Sequence, residues 1–220
     1  MAAARAGEFT VRPLSEESWP AFERLFGRFG GVQAGCWCFF YHRPGPIGEP
    51  SDARTDQNRK VHRAMVAEGR ARGILVFHEE EPVGWCQYGR PDELPRIDAG
   101  RKYRALRSGG HGLPDWRITC FFVDPKQRHR GAARVALRAA LEAIRTSGGG
   151  LVEAYPVTGR SAVASWFGST SMFEREGFRH VAPFGRSNRL LQRRVSAARS
   201  RPRVTSSARA RPKRPPPKAR

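Results

Sequence analysis

Hydrophobic and polar residues alternate along this chain with two periods, one typical of strands and one typical of helices. Short apolar runs bounded by turn residues predict strands, and apolar residues spaced three or four apart predict helices. The resulting order, β-α-α-β-β-β-α-β-α-β, predicts an α/β domain with a mixed sheet. Strands are expected at 9–14, 74–77, 83–88, 117–123, 151–157 and between 181 and 195, and helices after Ser15 and at 56–68, 131–145 and 169–176.

Two features of this pattern indicate where the core and the site lie. Segment 117–123 is apolar on both faces, as expected for a central strand that is covered on both sides. The helix after it keeps one apolar stripe, so it packs on the sheet along one face. Residues 27–50 are predicted to form an ordered loop. Residues 89–114 are predicted to form a second, polar loop, whose length is uncommon in a compact domain unless the loop is functional.

The charge of the chain is large and unevenly distributed. The 220 residues carry a formal net charge of +20, and the segment 196–220 holds nine Lys or Arg and no acid. Its alternating Arg, Pro, Ser and Ala cannot form a core, so we predict one domain over 8–195 and a disordered basic tail over 196–220. The domain is still basic, which favours anionic ligands such as a phosphorylated cofactor or nucleic acid.

The four cysteines predict neither a disulfide framework nor a metal site, because a chain of this size needs no disulfides and reduced thiols suit a cytoplasmic protein. Cys36 and Cys38 lie near His42, but a structural zinc site needs four ligands and no second Cys/His pair has suitable spacing. A nucleophilic cysteine stays open, although no partner is marked. With no apolar run of membrane-spanning length and no secretory start, we expect a cytoplasmic protein without a membrane partner.

Segment 123–133 carries the clearest chemical pattern in the sequence. It joins the buried strand to the amphipathic helix, and cations crowd a helix start that is already positive because of its exposed N–H groups. A pyrophosphate would satisfy these amides and cations, and Gly131 would let it approach the backbone. The alternative is a basic helix start that only faces solvent. The cations are Lys126, Arg128, Arg130 and Arg134.

Two motifs resemble those of one enzyme family. Arg128-x-x-Gly131-x-Ala133 is similar to the acyl-CoA motif of the GNAT superfamily, Arg/Gln-x-x-Gly-x-Gly/Ala. Glu174-Arg-Glu-Gly-Phe178 resembles the second landmark of that family, a helix that ends in Gly-Phe before the last strands. The resemblance covers about residues 8–195 and leaves the tail outside.

The resemblance implies an acyl-CoA-dependent N-acyltransferase whose fourth and fifth strands splay apart between flanking helices. Acetyl-CoA would be the co-substrate, with its thioester between these strands and with no metal. A primary amine of a small molecule or peptide would attack directly in a ternary complex, and backbone N–H groups would polarise the carbonyl. The main chain of Phe122 and Val123 is expected to pair with the pantetheine arm, and the pyrophosphate is expected to contact Arg128, His129, Arg130, Gly131, Ala132 and Ala133.

The chain departs from this family at the proton-transfer residues. Many relatives carry a tyrosine four residues before the Gly-Phe pair as a proton donor, and Phe173 stands there in this chain. The fourth strand also lacks the carboxylate that often acts as the base, and Asp115 precedes that strand. We predict Glu153 on the fifth strand as the base and Tyr155, on the same face, as the acid. The alternative for Glu153 is a solvent-facing strand residue.

The resemblance extends to the acceptor side, because Cys36-Trp-Cys38 before an aromatic run is similar to a little-described subgroup of the family. The run would line the acceptor pocket, with core packing as the alternative; it comprises Trp37, Phe39, Phe40 and Tyr41. In the second loop, His111 and the cluster 101–104 would bind an anionic acceptor or the 3′-phosphate of the cofactor, or would face solvent.

Two other classes of function stay open. The basic tail predicts weak, non-specific contact with nucleic acid, although the sequence shows no base-reading motif. Phe173 fits a protein that binds acyl-CoA as a sensor without turning it over.

Overall fold

The computed structural model describes residues 9–32, 35–44, 52–110, 112–158, 164–184 and 187–198. Within these ranges the chain forms a mixed α/β fold. Its strands are β1 (Phe9–Pro13), β2 (Arg72–His78), β3 (Glu81–Gly89), β4 (Trp116–Val123), β5 (Gly150–Ala154), β6 (Arg179–Phe184) and β7 (Asn188–Val195). Its helices are α1 (Trp19–Gly27), α2 (Asp52–Ala67), α3 (Arg96–Ala99), α4 (Arg101–Ser108), α5 (Ala132–Thr146), α6 (Ala164–Phe167) and α7 (Thr170–Arg175).

The strands form one sheet in the order β1-β2-β3-β4-β5-β7-β6. Every neighbouring pair is antiparallel except β4 and β5, which are parallel. The β4–β5 ladder covers only three residue pairs and ends where Ile118 faces Ala154. Beyond that point β4 continues to Val123, while β5 has ended and Pro156 lacks the N–H that a longer ladder would need. The predicted splay between the two central strands is therefore confirmed.

Two layers of side chains cover the sheet. On one face α5 packs its apolar stripe against the strands together with Phe173 of α7. On the other face an aromatic cluster from α1, α2 and the loop between them packs on β2, β3 and β4. A smaller cluster on this second face joins α3 and α4 to the far end of the sheet, and it consists of Ile97, Tyr103, Tyr155 and Leu190.

The second loop is not irregular as predicted, because it contains α3 and α4. Both helices are short and Gly100 separates them, so no apolar pattern of helical length is visible in the sequence. The start of α1 also differs from the prediction. Ser15 and Ser18 exchange backbone-to-side-chain hydrogen bonds in a turn, and α1 begins only at Trp19.

Other boundaries shift by a few residues. Helix α2 begins at Asp52, four residues before the predicted start, and β5 ends at Ala154, before the predicted end at residue 157. The predicted domain boundary falls at the end of β7, after which the Ala198 N–H still donates to the Arg145 carbonyl at 2.9 Å. Residues 199–220 lie outside the described part of the chain, so the tail remains a prediction.

A buried polar network anchors the loop between α1 and α2. The Gln87 amide donates to the Cys38 carbonyl at 2.8 Å and lies 3.0 Å from a ring nitrogen of His42. Thr119 of β4 donates to the other end of the Gln87 amide at 2.8 Å. His62, fully buried, contacts the Trp37 carbonyl at 2.8 Å, and its ring centroid lies 5.3 Å from that of His42.

The buried histidine pair predicts a loss of stability in acid. Burial lowers the pKa of His42 to about 4 and that of His62 to about 3. An unfolded histidine titrates near pH 6.5, so between about pH 6.5 and 4 the unfolded state binds more protons. The free energy of unfolding should therefore fall with decreasing pH, by about 1.4 kcal/mol per pH unit for each histidine.

Urea unfolding of the wild type and of His62→Gln between pH 7 and pH 4 tests this expectation. The variant should lose the share of the slope that belongs to His62, whereas His180→Gln, at an exposed position on β6, serves as the control. Equal slopes for the wild type and His62→Gln would contradict the neutral, buried state of this ring.

Candidate active site

The start of α5 is built to expose backbone N–H groups. Gly131 caps the helix with φ = +95°, a left-handed conformation that glycine adopts without strain, and no side chain caps the N–H groups. His129 also has a positive φ of 62°. Within the described residues, no group accepts a hydrogen bond from the amides of His129, Gly131, Ala132 or Ala133. Unpaired amides at a helix N-terminus form a site for an anion.

A cavity of about 410 Å³ opens in front of these amides. Its floor comes from β4 through Phe121 and Val123, and its opposite wall comes from the segment that leads into α7. Four of the six loop residues predicted to hold the pyrophosphate line it directly and a fifth, Ala132, lines it at its buried end. The lining from the loop and the first turn of α5 comprises Gln127, Arg128, His129, Gly131, Ala132, Ala133 and Arg134, and that from the α7 side comprises Gly168, Ser169, Met172 and Arg175.

The cations at this helix start do not all face the cavity. Arg134 and Arg138 both donate to Glu176, at 2.7 and 2.9 Å. Burial acts to raise the pKa of Glu176, but the hydrogen bonds from the two arginines outweigh it and lower the pKa. Arg130 contacts Gln127 and His78 and does not line the cavity. Positive charge at the cavity therefore comes mainly from Arg128, Arg175 and the helix terminus.

The open edge of β4 presents the main chain of Phe121 and Val123. The Asp124 N–H donates to Val83 of β3 at 2.9 Å, and the polar groups of successive strand residues point to opposite sides. Phe122 therefore directs its main chain towards β3, which differs from the sequence prediction. Its side chain is buried on the other face of the sheet, against Phe26 and Trp166. The Val123 carbonyl faces the loop and accepts a hydrogen bond from Arg128 at 3.3 Å.

A second, smaller pocket of about 70 Å³ lies on the opposite face of β4. Cys120 of β4 forms part of its wall. Trp166 and Phe167 of α6 form another part, immediately before the residues that line the larger cavity. The remaining lining residues come from the loop between α1 and α2, and they are Cys36, Cys38, Phe40 and Tyr41. Of the predicted aromatic run, Phe40 and Tyr41 therefore line a pocket, whereas Trp37 and Phe39 are buried in the core.

Glu153 is not the solvent-facing residue that was the alternative in the sequence, because only 1 % of its surface is exposed. Its carboxylate accepts hydrogen bonds from Tyr103 at 2.8 Å, Tyr155 at 2.7 Å and Gln192 at 3.0 Å. Burial and the charge of Glu153 raise the pKa of Tyr103 to about 12 and that of Tyr155 well above its ordinary value. Neither Glu153 nor Tyr155 lines either of the two cavities.

Arg117 is the buried cation next to this cluster, and sequence reasoning did not single it out. It is fully buried opposite Glu153 in the β4–β5 ladder and forms a two-pronged ion pair with Asp98 of α3, at 2.6 and 2.8 Å. Its guanidinium also lies 5.1 Å from the ring centroid of Tyr103. An arginine within an otherwise apolar strand indicates a buried partner, but the sequence does not show that the partner lies on α3.

Two other predicted positions have structural surroundings. Phe173, where relatives carry a tyrosine, is fully buried and packs edge-to-face against Phe121 and Phe178. Asp115 accepts the Leu151 N–H at 2.6 Å and so holds the start of β5. Among the described residues no group of three or more potential ligands could hold a metal ion, and no described helix is long and apolar enough to cross a membrane. His111 lies outside the described residues.

The sequence matches a family model over the part of the chain that contains this loop and both cavities. The model is that of the acetyltransferase (GNAT) family, and it covers residues 36–166. The chain belongs to the GNAT family. This membership confirms the resemblance carried by the Arg128-x-x-Gly131-x-Ala133 motif, and it makes the chain an acyl-CoA-dependent acetyltransferase.

Solved structures share this GNAT fold at low sequence identity. The mosquito arylalkylamine N-acetyltransferase like 5b has a TM-score of 0.54 and 10% identity, over 84% of this chain and 99% of that chain. The histone acetyltransferase HPA2 and related acetyltransferase of Corynebacterium glutamicum has a TM-score of 0.51 and 17% identity, over 87% and 97%. The yncA protein of Salmonella typhimurium, solved with its cofactor acetyl-CoA, has 0.50 and 15%, over 88% and 98%. No curated protein matches the sequence.

The hydrogen bonds to Glu153 predict a cost for each tyrosine that donates to it. Tyr103→Phe and Tyr155→Phe each remove one bond to a charged acceptor, which is worth about 1.5–3 kcal/mol. Urea unfolding should show a loss of that size for each variant. Tyr88→Phe, at a buried tyrosine that donates no hydrogen bond within the described residues, is the matched control and should change the stability by less than about 0.5 kcal/mol. Equal losses for all three variants would contradict the role of the carboxylate.

Proposed function

We propose that this GNAT protein transfers an acetyl group from acetyl-CoA to a primary amine of a small molecule or peptide, by direct attack in a ternary complex. The observation that carries the proposal is the pair of cavities on opposite faces of β4, beyond the point where β5 separates from it. Such an arrangement lets two substrates reach one strand edge from two sides, and holding both in place removes much of the entropic barrier.

The larger cavity fits the phosphates and pantetheine arm of acyl-CoA. The amides of Gly131, Ala132 and Ala133 would bind the pyrophosphate, and Arg128 and Arg175 would supply neutralising charge. The main-chain groups of Phe121 and Val123 at the open edge of β4 would pair with the amides of the arm. When bound, acyl-CoA supplies the activated acyl group as a thioester.

The smaller pocket would receive the amine. Its aromatic walls exclude water, and Cys120 brings its floor to the open part of β4. Burial raises the pKa of Cys36 to about 11, and burial also raises the pKa of Cys38 well above its ordinary value. These two thiols therefore stay protonated at neutral pH, which favours attack by the amine itself over a cysteine nucleophile.

Glu153 and Tyr155 remain our candidates for proton transfer. Because neither side chain lines the pocket, the proton of an ammonium would reach Glu153 through Tyr155, whose hydroxyl already donates to it at 2.7 Å. The raised pKa of Tyr155 makes it a weaker acid than an ordinary tyrosine, so it suits a relay better than free proton donation.

Gly131→Glu tests the cofactor site. The substitution places a negative charge at the proposed phosphate position and forces a side chain into a left-handed backbone conformation. Acetyl-CoA at a hundred times its dissociation constant should stabilise the wild type by about 2.7 kcal/mol, and the variant should lose this gain. Thermal unfolding with and without acetyl-CoA measures the difference.

Gly148→Glu is the matched control, because Gly148 also has a positive φ, of 103°, and lies at the other end of α5 with no atom near its would-be Cβ. Both variants should be less stable without ligand, and only Gly131→Glu should lose the response to acetyl-CoA. A full response in Gly131→Glu would place the cofactor elsewhere.

Glu153→Gln tests the proton relay. Removing a general base typically lowers turnover about a hundred- to ten-thousandfold, and the loss should shrink at high pH, where the amine is already neutral. The assay follows release of the CoA thiol across a panel of primary amines from pH 6.5 to 9.5. A loss of constant size at every pH would instead make Glu153 a positioning residue, and unchanged turnover at neutral pH would exclude it from the reaction.

A further inference from the structure

The mouth of the smaller pocket is positively charged. Phe40 lines this pocket and is 37% exposed, and the Arg96 guanidinium lies over its ring, 4.2 Å from the centroid. Arg43 follows the same turn of the loop, directly after His42. Burial, and next the charge of Arg43, lower the pKa of Arg96, as expected for two cations held close together.

The acidic side chains around Arg96 are engaged with other arginines. Glu93 pairs with Arg72 at 3.0 Å, and Asp98 pairs with the buried Arg117 at 2.6 Å. These pairs place the two acids nearest to Arg96 along the chain in contacts that point away from the pocket mouth. A substrate that carries an anionic group would therefore enter a field of positive sign.

The size of the pocket limits what passes beyond this mouth. Its volume of about 70 Å³ is close to that of two water molecules in the liquid, at about 30 Å³ each. Only a narrow group, such as an amine on an aliphatic carbon, fits inside. A second polar group on the same molecule would remain at the mouth, beside Phe40 and Arg96.

We propose that Arg96, with Arg43 beside it, forms a carboxylate-binding subsite for the acceptor, so that the substrate class is amino acids rather than simple amines. Stacking on Phe40 covers one face of the Arg96 guanidinium and leaves its edge to bind a carboxylate through two N–H groups. The proposal rests on the proposed transfer to an amine, and it adds the charge that selects the acceptor.

The kinetic test compares amino acids with their carboxamides, which keep the amine and lose the charge. In the wild type, kcat/KM should be about ten- to a hundredfold higher for the acids, the usual size of a charge-assisted hydrogen-bond pair. Arg96→Gln should raise KM for the acids by a similar factor with little change in kcat, and should leave the carboxamides unaffected. Arg96→Lys keeps the charge but not the paired donors, and should fall between.

The control is Arg104→Gln on α4, which removes the same charge from an exposed position and should leave the preference unchanged. An equal preference of the wild type for acids and carboxamides would overturn the proposal. So would an Arg96→Gln variant that keeps the wild-type preference.

A binding arm separates this proposal from the proposed function. In protein saturated with CoA, the NMR signal of the Arg96 Nε–H group should shift on titration with the twenty amino acids and not with their carboxamides. Shifts with amino acids but no turnover of any amine would overturn the acetyl transfer and support the subsite. No shift with any amino acid would overturn the subsite, whatever the turnover.

Discussion

The separation of β4 from β5 is the constraint on which the rest of the site depends. The two strands pair over three residues and then part, so that β4 keeps an unpaired edge within the sheet. Unpaired main-chain groups inside a domain are costly unless something binds them. Both cavities open on this part of β4, one on each face, and a substrate that pairs with the edge would complete the sheet.

A layer of buried charge lies directly behind this opening. Glu153 and Arg117 face each other in the last part of the β4–β5 ladder, and each is fully satisfied by groups from other elements. Buried charges of this kind are costly unless every partner is present. The layer therefore ties α3 and α4 to the strands at the point where they part, whether or not Glu153 also moves a proton.

The sequence predicted those parts of the fold and site that follow from local patterns. The stripe of α5, the apolar β4 and the uncapped start at Gly131 are all visible in consecutive residues. It did not predict the burial of Glu153, because the helix that covers it carries Tyr103, 50 residues away in the chain. Phe122 was chosen over Phe121 because the side of the strand to which a main-chain group points depends on pairing with β3.

Amide hydrogen exchange, measured residue by residue with and without acetyl-CoA, tests the central claim most directly. The account predicts that the cofactor slows exchange at Gly131, Ala132 and Ala133 and at the β4 edge amides of Phe121 and Val123. The amide of Phe122, which points towards β3, should change little, as should those of α1. Slowed exchange elsewhere, with the first turn of α5 and the β4 edge unaffected, would contradict the placement of the cofactor.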